Sequence, residues 1–118
     1  MIVVKPGVLF TVIAPAGYLI LQALKAATVK LGKDLTITSA CDGLHSGPGD
    51  PHHTGEAYDV RSHDFPAPLR AGVIATIMQP LDPTRFFGYL EVPGTDNEHF
   101  HIQRKKDTTF TVADFLAS

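Results

Sequence analysis

The sequence of 118 residues contains no tryptophan and a single cysteine, Cys41. One cysteine excludes an internal disulfide framework and a zinc module built mainly from cysteine ligands. A surplus of charge of one sign is also missing, because 10 Lys and Arg against 12 Asp and Glu give a formal net charge of −2. The basic footprint of nucleic-acid binding is therefore absent as a global property, and we predict no nucleic-acid partner.

Long hydrophobic runs are absent as well. The apolar residues at 2–4 are interrupted by Lys5, Pro6 and Gly7, no basic segment precedes them, and no clear cleavage site follows. We therefore predict neither a signal peptide nor a membrane span, and expect synthesis in the cytoplasm unless a partner or cell lysis exports the chain. The 44% of hydrophobic residues suits a single domain over 1–118, which we expect to be a monomer.

The spacing of apolar residues predicts an α+β fold with a central antiparallel sheet and helices on one of its faces. Helices are expected at 15–31, between an Asp64 N-cap and Pro80, and after the capping-box spacing of Thr111 and Asp114. A strand or extended arm is expected within 2–13, a loop rich in Gly and Pro at 41–55, and strands at 35–38, 57–61, 85–90 and 98–104.

The six histidines fall in two groups, four between His45 and His63 and two at His99 and His101. A single histidine in a small protein is most often a surface residue or a satisfied polar group, and we interpret His63 in that way. His99 and His101 lie two residues apart in a predicted strand, so both point to the same sheet face. The grouping therefore favours a functional site.

Three side chains from these groups form a candidate metal site. His52 lies at the end of the long loop, Asp59 follows seven residues later inside a predicted strand, and the third candidate is a histidine of the strand that carries His99 and His101. A carboxylate buried in an apolar strand is costly unless a cation pairs with it. Three N and O ligands leave a fourth zinc position open for water, which is the arrangement of catalytic zinc sites.

A metal-bound water needs a general base, and Glu98, three residues before His101, is the first candidate. In a regular strand these two side chains would point to opposite faces. The role of Glu98 therefore requires an irregular strand start just after the predicted turn at 93–97. Asp96 and Glu91 are the alternative bases.

Two segments resemble the signatures of one zinc-enzyme family. Residues 52–59 resemble the His-x-x-Gly-x-Ala-x-Asp signature of the D-alanyl-D-alanine peptidase family, and residues 98–101 resemble its Glu-x-x-His signature. The region 36–59 is also similar to the zinc site of hedgehog signalling domains, which share that fold. The short chain most resembles the phage and prophage members, which hydrolyse peptidoglycan stem peptides, and this resemblance implies action at the cell wall after release from the cytoplasm.

The resemblance implies a hedgehog- and peptidase-like fold and a zinc peptidase of the carboxypeptidase or endopeptidase type. Residue by residue, it implies that Zn²⁺ is bound by His52, Asp59 and His101, that Glu98 is the catalytic base, and that His99 lies near the site and steadies the oxyanion. In hedgehog domains a similar site serves mainly structure and binding, so a zinc site does not by itself establish catalysis. The alternatives are a zinc-stabilised module that binds cell-wall peptide or a protein without cutting it, and a structural domain whose histidine cluster is accidental.

The sequence departs from the family pattern where many members carry an arginine that grips the substrate, because residues 39–45 contain none. His45 could bind the substrate or the oxyanion there, or it could be an ordinary loop residue. Stem peptides carry free carboxylates, and Arg61 or Arg85 could anchor one, although either could also be a surface charge.

Overall fold

A computed structural model of the chain describes residues 1–42, 50–108 and 110–117. The elements in chain order are β1 (Ile2–Val4), α1 (Pro15–Leu31), β2 (Leu35–Ser39), β3 (Ala57–Arg61), a 3₁₀ turn (Ala67–Leu69), α2 (Arg70–Met78), β4 (Phe86–Glu91), β5 (His99–Arg104) and α3 (Val112–Ala117). The α+β class predicted from the sequence is confirmed.

The five strands form one mixed sheet in the order β1-β2-β3-β5-β4. The pairs β2–β3, β3–β5 and β5–β4 are antiparallel, as predicted, whereas β1 pairs with β2 in parallel. The wholly antiparallel sheet is therefore corrected to a mixed one. The reason is the connection, because α1 returns the chain to the end of the sheet from which β1 started.

Side-chain alternation along β3 and β5 divides the sheet into two faces. Tyr58 and Val60 of β3, with Phe100 and Ile102 of β5, are fully buried in one hydrophobic core with residues of α1 and α2. Asp59 and the histidines of β5 alternate with these core residues and so point to the opposite face. The helices thus cover one face and leave the polar residues on the other.

Helix α1 begins and ends where the sequence predicts. Pro15 occupies the first turn, where a missing N–H costs no hydrogen bond, and Gly32 ends the helix with a φ of 63°. That left-handed conformation is one that glycine adopts without steric cost, so the predicted C-terminal cap is confirmed.

Helix α2 begins later than predicted, and Asp64 is not its N-cap. The chain forms the 3₁₀ turn at Ala67–Leu69 first, and the α-helix starts at Arg70. Pro66 and Pro68 each disfavour α-helical geometry in the residue that precedes them, which delays the helix.

The capping box of α3 is present as predicted. The Asp114 N–H donates to Thr111 Oγ1 at 3.2 Å, and the Thr111 N–H donates to Asp114 Oδ2 at 2.9 Å. Across the described part of the chain, no helix combines the length and the apolar character that a membrane crossing requires.

The loop before β3 packs closely on the start of α1. Gly55 has a φ of 77°, and a Cβ at that position would stand 2.3 Å from the carbonyl oxygen of Val12. On the other side, a Cβ added to Gly17 of α1 would stand 1.8 Å from the Gly55 carbonyl oxygen. Only glycine at both positions permits this approach, which holds in place the segment that carries His52.

Candidate metal centre

Asp59 and His101 are direct cross-strand partners in the antiparallel pair β3–β5. Directly opposite residues share a sheet face, and His101 Nδ1 lies 2.8 Å from Asp59 Oδ1. On the far side of β5, Glu91 of β4 lies opposite His99. Three neighbouring strands therefore bring carboxylates and imidazoles together on the face that the helices leave uncovered.

His52 reaches the same carboxylate from the loop before β3. Its Nε2 lies 3.3 Å from Asp59 Oδ1, and its ring centroid lies 5.1 Å from that of His101. The Gly55 N–H donates to the His52 carbonyl at 3.2 Å, which couples His52 to the close packing on α1. The three predicted ligand residues are thus brought together around one carboxylate oxygen, and their role as ligands stays a prediction.

Glu91 and His99 complete the cluster. Ligand atoms of Asp59, Glu91, His99 and His101 all lie within 4.8 Å of one another, and this group could hold a metal ion. His99 Nε2 lies 3.0 Å from Glu91 Oε2 and 3.5 Å from Asp59 Oδ1. Sequence reasoning gave His99 no ligand role and named Glu91 only as an alternative base, although pairing the predicted hairpin strands would have placed these two residues opposite each other.

Hydrogen bonds fix which nitrogen of two of the imidazoles faces the cluster. His52 Nδ1 lies 2.9 Å from the Ala40 carbonyl oxygen, and His99 Nδ1 lies 2.7 Å from the Asn97 carbonyl oxygen. Because a carbonyl oxygen only accepts, each Nδ1 carries a hydrogen. The Nε2 atoms of His52 and His99 therefore face the carboxylates, where each can donate a hydrogen when its ring is protonated and bind a metal ion when its ring is neutral.

His101 faces the cluster with Nδ1, whereas His52 and His99 face it with Nε2. Its Nε2 lies 2.6 Å from the Gln103 side-chain oxygen, and its Nδ1 faces Asp59. Burial alone would lower the pKa of His101, but hydrogen bonds to Asp59 and Gln103 raise it above its usual value. Burial would likewise raise the pKa of Asp59, but hydrogen bonds from His101 and His52 outweigh this effect and hold it well below its usual range.

The cluster thus contains three imidazole nitrogens and two carboxylates that face one another. Lone pairs at 2.8 to 3.5 Å repel each other unless a proton or a cation lies between them. A divalent cation would satisfy the groups of Asp59, Glu91, His99 and His101 at once, with His52 beside them at Asp59, and its positive charge would offset the desolvation of Asp59. The chemistry of this donor set therefore fits a metal ion, and N and O donors of this kind suit Zn²⁺ among other divalent ions.

Glu98, the first candidate for the catalytic base, is not brought to this cluster. Its Oε1 accepts a hydrogen bond from Ser62 Oγ at 2.6 Å and pairs with Arg70 at 2.8 Å, while its Oε2 accepts from the Gly94 N–H at 2.9 Å. The Gly94 and Ser62 donors, with the Arg70 charge, lower the pKa of Glu98 against its burial. Since His99 points to the metal face, Glu98 points away from it. The irregular strand start that the base role requires is therefore not seen.

Arg61, a predicted substrate-binding residue, lies beside the cluster. It is the cross-strand partner of His99 and stands two residues beyond Asp59 on the same face. With His99, Lys5 and other polar residues it lines a cavity of about 380 Å³. This position is compatible with the predicted contact to substrate.

The other substrate candidates lie elsewhere. Arg85 pairs with Asp114 at 3.3 Å and lies over the Phe110 ring, at a cavity between α1 and the segment that leads into β4, so it is remote from the cluster. His45 lies outside the described residues, and its predicted role stays a prediction.

The fold and the cluster define an α+β domain whose sheet presents carboxylates and histidines able to hold a metal ion. Comparisons of the chain with protein-family models, with curated proteins and with solved structures gave no match.

Proposed function

We propose that the protein is a zinc-dependent peptidase that hydrolyses an amide bond in peptidoglycan stem peptides, with the peptidase- and hedgehog-like fold that its two signature segments resemble. The observation that carries the metal site is the convergence of His52, Asp59 and His101 at Asp59 Oδ1, with a second carboxylate beside them. The peptidoglycan substrate rests on the resemblance of residues 52–59 and 98–101.

His52, Asp59 and His101 are the proposed zinc ligands, because each directs a nitrogen or oxygen atom at the same point. When bound, Zn²⁺ polarises the scissile carbonyl and lowers the pKa of a coordinated water to about 7. The protein holds the two imidazoles in the required tautomers and keeps the site on a rigid sheet. It therefore supplies preorganised ligands at little conformational cost.

Glu91 takes the place of Glu98 as the proposed general base. Its Oε2 lies 3.0 Å from His99 Nε2 and 3.6 Å from His101 Nδ1, and its side chain is 37% exposed, so it faces the side from which substrate and water arrive. A carboxylate there can accept a proton from water and pass it to the leaving amine. His99 lies beside Glu91, and when its ring is already protonated before the reaction its Nε2–H can donate to the developing oxyanion.

Arg61 is the proposed anchor for a free carboxylate of the stem peptide. It lines the cavity that adjoins the cluster at His99, and among the described residues its guanidinium has no acidic partner. A charge-assisted hydrogen bond to the peptide carboxylate would hold the scissile amide near Asp59 and Glu91. Such positioning is what a peptidase needs for a small, charged substrate.

The test is digestion of purified peptidoglycan with the zinc-loaded protein, followed by identification of the fragments by mass spectrometry. We expect wild type to release stem-peptide fragments. Glu91→Gln should retain about one zinc equivalent and lose activity by about two to four orders of magnitude. Glu98→Gln should lower stability while the folded fraction keeps its turnover number. A folded but inactive Glu98→Gln with a fully active Glu91→Gln would contradict the assignment of the base.

The engagement of Glu98 with Ser62 and Arg70 favours one second candidate function, a zinc-stabilised module that binds cell-wall peptide without cutting it. The same digestion separates the two functions. A module would bind zinc and stem peptide, release no fragments, and bind the peptide equally well after Glu91→Gln.

A further inference from the structure

We propose that Gln103 is a positioning residue that holds His101 in the orientation and tautomer needed to bind the metal. This inference rests on the metal site of the proposed function, but not on its peptidase activity. Gln103 is nearly buried, on the same face of β5 as His101 and two residues beyond it. A polar side chain in that environment needs partners for both ends of its amide, and the structure supplies them.

The amide group of Gln103 has a defined orientation. Its Nε2 donates to the Arg104 carbonyl oxygen at 3.1 Å, which only accepts. The amide oxygen is therefore the atom that lies 2.6 Å from His101 Nε2, so that Nε2 carries the hydrogen and donates it. The other ring nitrogen, Nδ1, is then the one available to a metal ion beside Asp59.

The acceptor that orients Gln103 is itself held by the loop before β3. The Arg104 N–H donates to the Glu56 carbonyl at 3.0 Å, and the Arg104 guanidinium contacts both carboxylate oxygens of Glu56. Thr54 Oγ1 donates to the same carboxylate at 2.8 Å. The loop that brings His52 to the cluster thus also fixes the end of β5 that orients His101.

Space for Gln103 is provided by its cross-strand neighbour. Ala57 of β3 lies directly opposite Gln103 and is fully buried. Directly opposite side chains share one face, so a methyl group at position 57 leaves room for the longer amide of Gln103. The small residue in the first signature segment is therefore explained by the space that the Gln103 amide needs beside His101.

Removing the amide oxygen should weaken metal binding without changing the ligands themselves. Partners of this kind fix the tautomer and raise the basicity of a ligating imidazole, and their loss typically costs about 10–100-fold in metal affinity. Gln103→Leu keeps the size of the side chain and removes the acceptor. Gln103→Glu keeps an acceptor for His101 Nε2–H.

The experiment measures the affinity for Zn²⁺ and for Co²⁺ by competition with a chelator, at mildly alkaline pH. We expect the dissociation constant to rise about 10–100-fold in Gln103→Leu and to stay within about threefold of wild type in Gln103→Glu. Ile102→Val, a core substitution in the same strand, is the matched control and should leave the affinity unchanged. An unchanged affinity in Gln103→Leu, or an equal loss in Ile102→Val, would overturn the proposal.

Proton NMR of the zinc-loaded protein gives a readout that a merely structural role would not change. The His101 Nε2–H signal should be protected from exchange with water in wild type and in Gln103→Glu, and should broaden in Gln103→Leu. Absence of a protected signal in wild type would overturn the proposal even if Gln103→Leu failed to fold. If zinc binding depends on Gln103 but the protein does not cleave peptidoglycan, the role of Gln103 is supported and the peptidase function is rejected. If the wild type binds neither Zn²⁺ nor Co²⁺, both the role of Gln103 and the peptidase function are rejected.

Discussion

The contact between α1 and the loop that carries His52 predicts opposite effects for two glycine-to-alanine substitutions. A Cβ at Gly17 of α1 would stand 1.8 Å from the Gly55 carbonyl oxygen. A Cβ at Gly72 of α2 would meet no described atom within 4 Å outside its own helix. We therefore expect Gly17→Ala to destabilise the fold and Gly72→Ala to stabilise it.

The magnitude follows from two opposing contributions to the free energy of unfolding. Alanine in place of a helical glycine stabilises by about 1 kcal/mol, and at Gly72 nothing opposes this gain. At Gly17 the added carbon overlaps a backbone oxygen that cannot rotate away, and such overpacking costs about 1–3 kcal/mol. Taking the upper end of that range gives a net loss of about 2 kcal/mol for Gly17→Ala, and a difference of about 3 kcal/mol between the variants.

Urea unfolding followed by far-UV circular dichroism, in the presence of a chelator, measures this difference without a contribution from metal. In thermal unfolding of the same samples, a change of about 4 °C per kcal/mol for a domain of this size means that the melting temperatures of the two variants should differ by about 12 °C. Gly17→Ala should also bind zinc more weakly than Gly72→Ala, because displacement of Gly55 moves His52. Equal stability of the two variants would refute the close approach and, with it, the argument for how His52 is placed.

Three further predictions concern the core, a turn and the metal. Phe100→Ala should lower the free energy of unfolding by about 3–5 kcal/mol, since Phe100 is fully buried against Phe65; a loss below about 1 kcal/mol would contradict its place in the core. Asp82 accepts hydrogen bonds from the Thr84 N–H, which has the larger effect, and from the Thr84 hydroxyl, and both lower the pKa of Asp82. The ionised carboxylate therefore stabilises the fold above its unfolded pKa of about 4, and this stabilisation is lost as the pH falls. Asp82→Ala should therefore be less stable than wild type at neutral pH, with a gap that closes in acid; a pH-independent gap in urea midpoints would count against this. Zinc at about 100 times its dissociation constant should stabilise wild type by about 2.7 kcal/mol, and Asp59→Asn should abolish this shift in calorimetry; an undiminished shift would place the metal elsewhere.

Local patterns were sufficient to predict the features that depend on short stretches of sequence. The apolar period of α1 and the glycine at position 32 define that helix to the residue. The alternation along β5 was enough to predict that a histidine of that strand meets His52 and Asp59, and the resemblance of two segments to a family's signatures selected His101. In each case the deciding information is a spacing within one element or the loop beside it.

Features that depend on the exact register of two paired strands, or on the direction of β1, were not predicted. Whether Glu98 or Glu91 joins the cluster depends on where β5 starts and how it is aligned with β4, since a shift of one residue exchanges the two faces of a strand. The parallel position of β1 likewise depends on how α1 packs, and no residue of the strand itself encodes it. The start of α2 depends on Pro66 and Pro68 together, since each disfavours helical geometry in the residue before it, and this effect outweighs the cap preference of Asp64.

Asp59 and His101 belong to β3 and β5, and each of these strands has a neighbour on both sides. Backbone amides in such interior strands undergo hydrogen–deuterium exchange only in the rare openings that involve most of the molecule. Fraying of the outer strands would therefore leave the carboxylate–imidazole contact in place. A chelator should accordingly be able to extract a bound ion from a sheet that stays folded, and reloading should be fast because no strand has to form again.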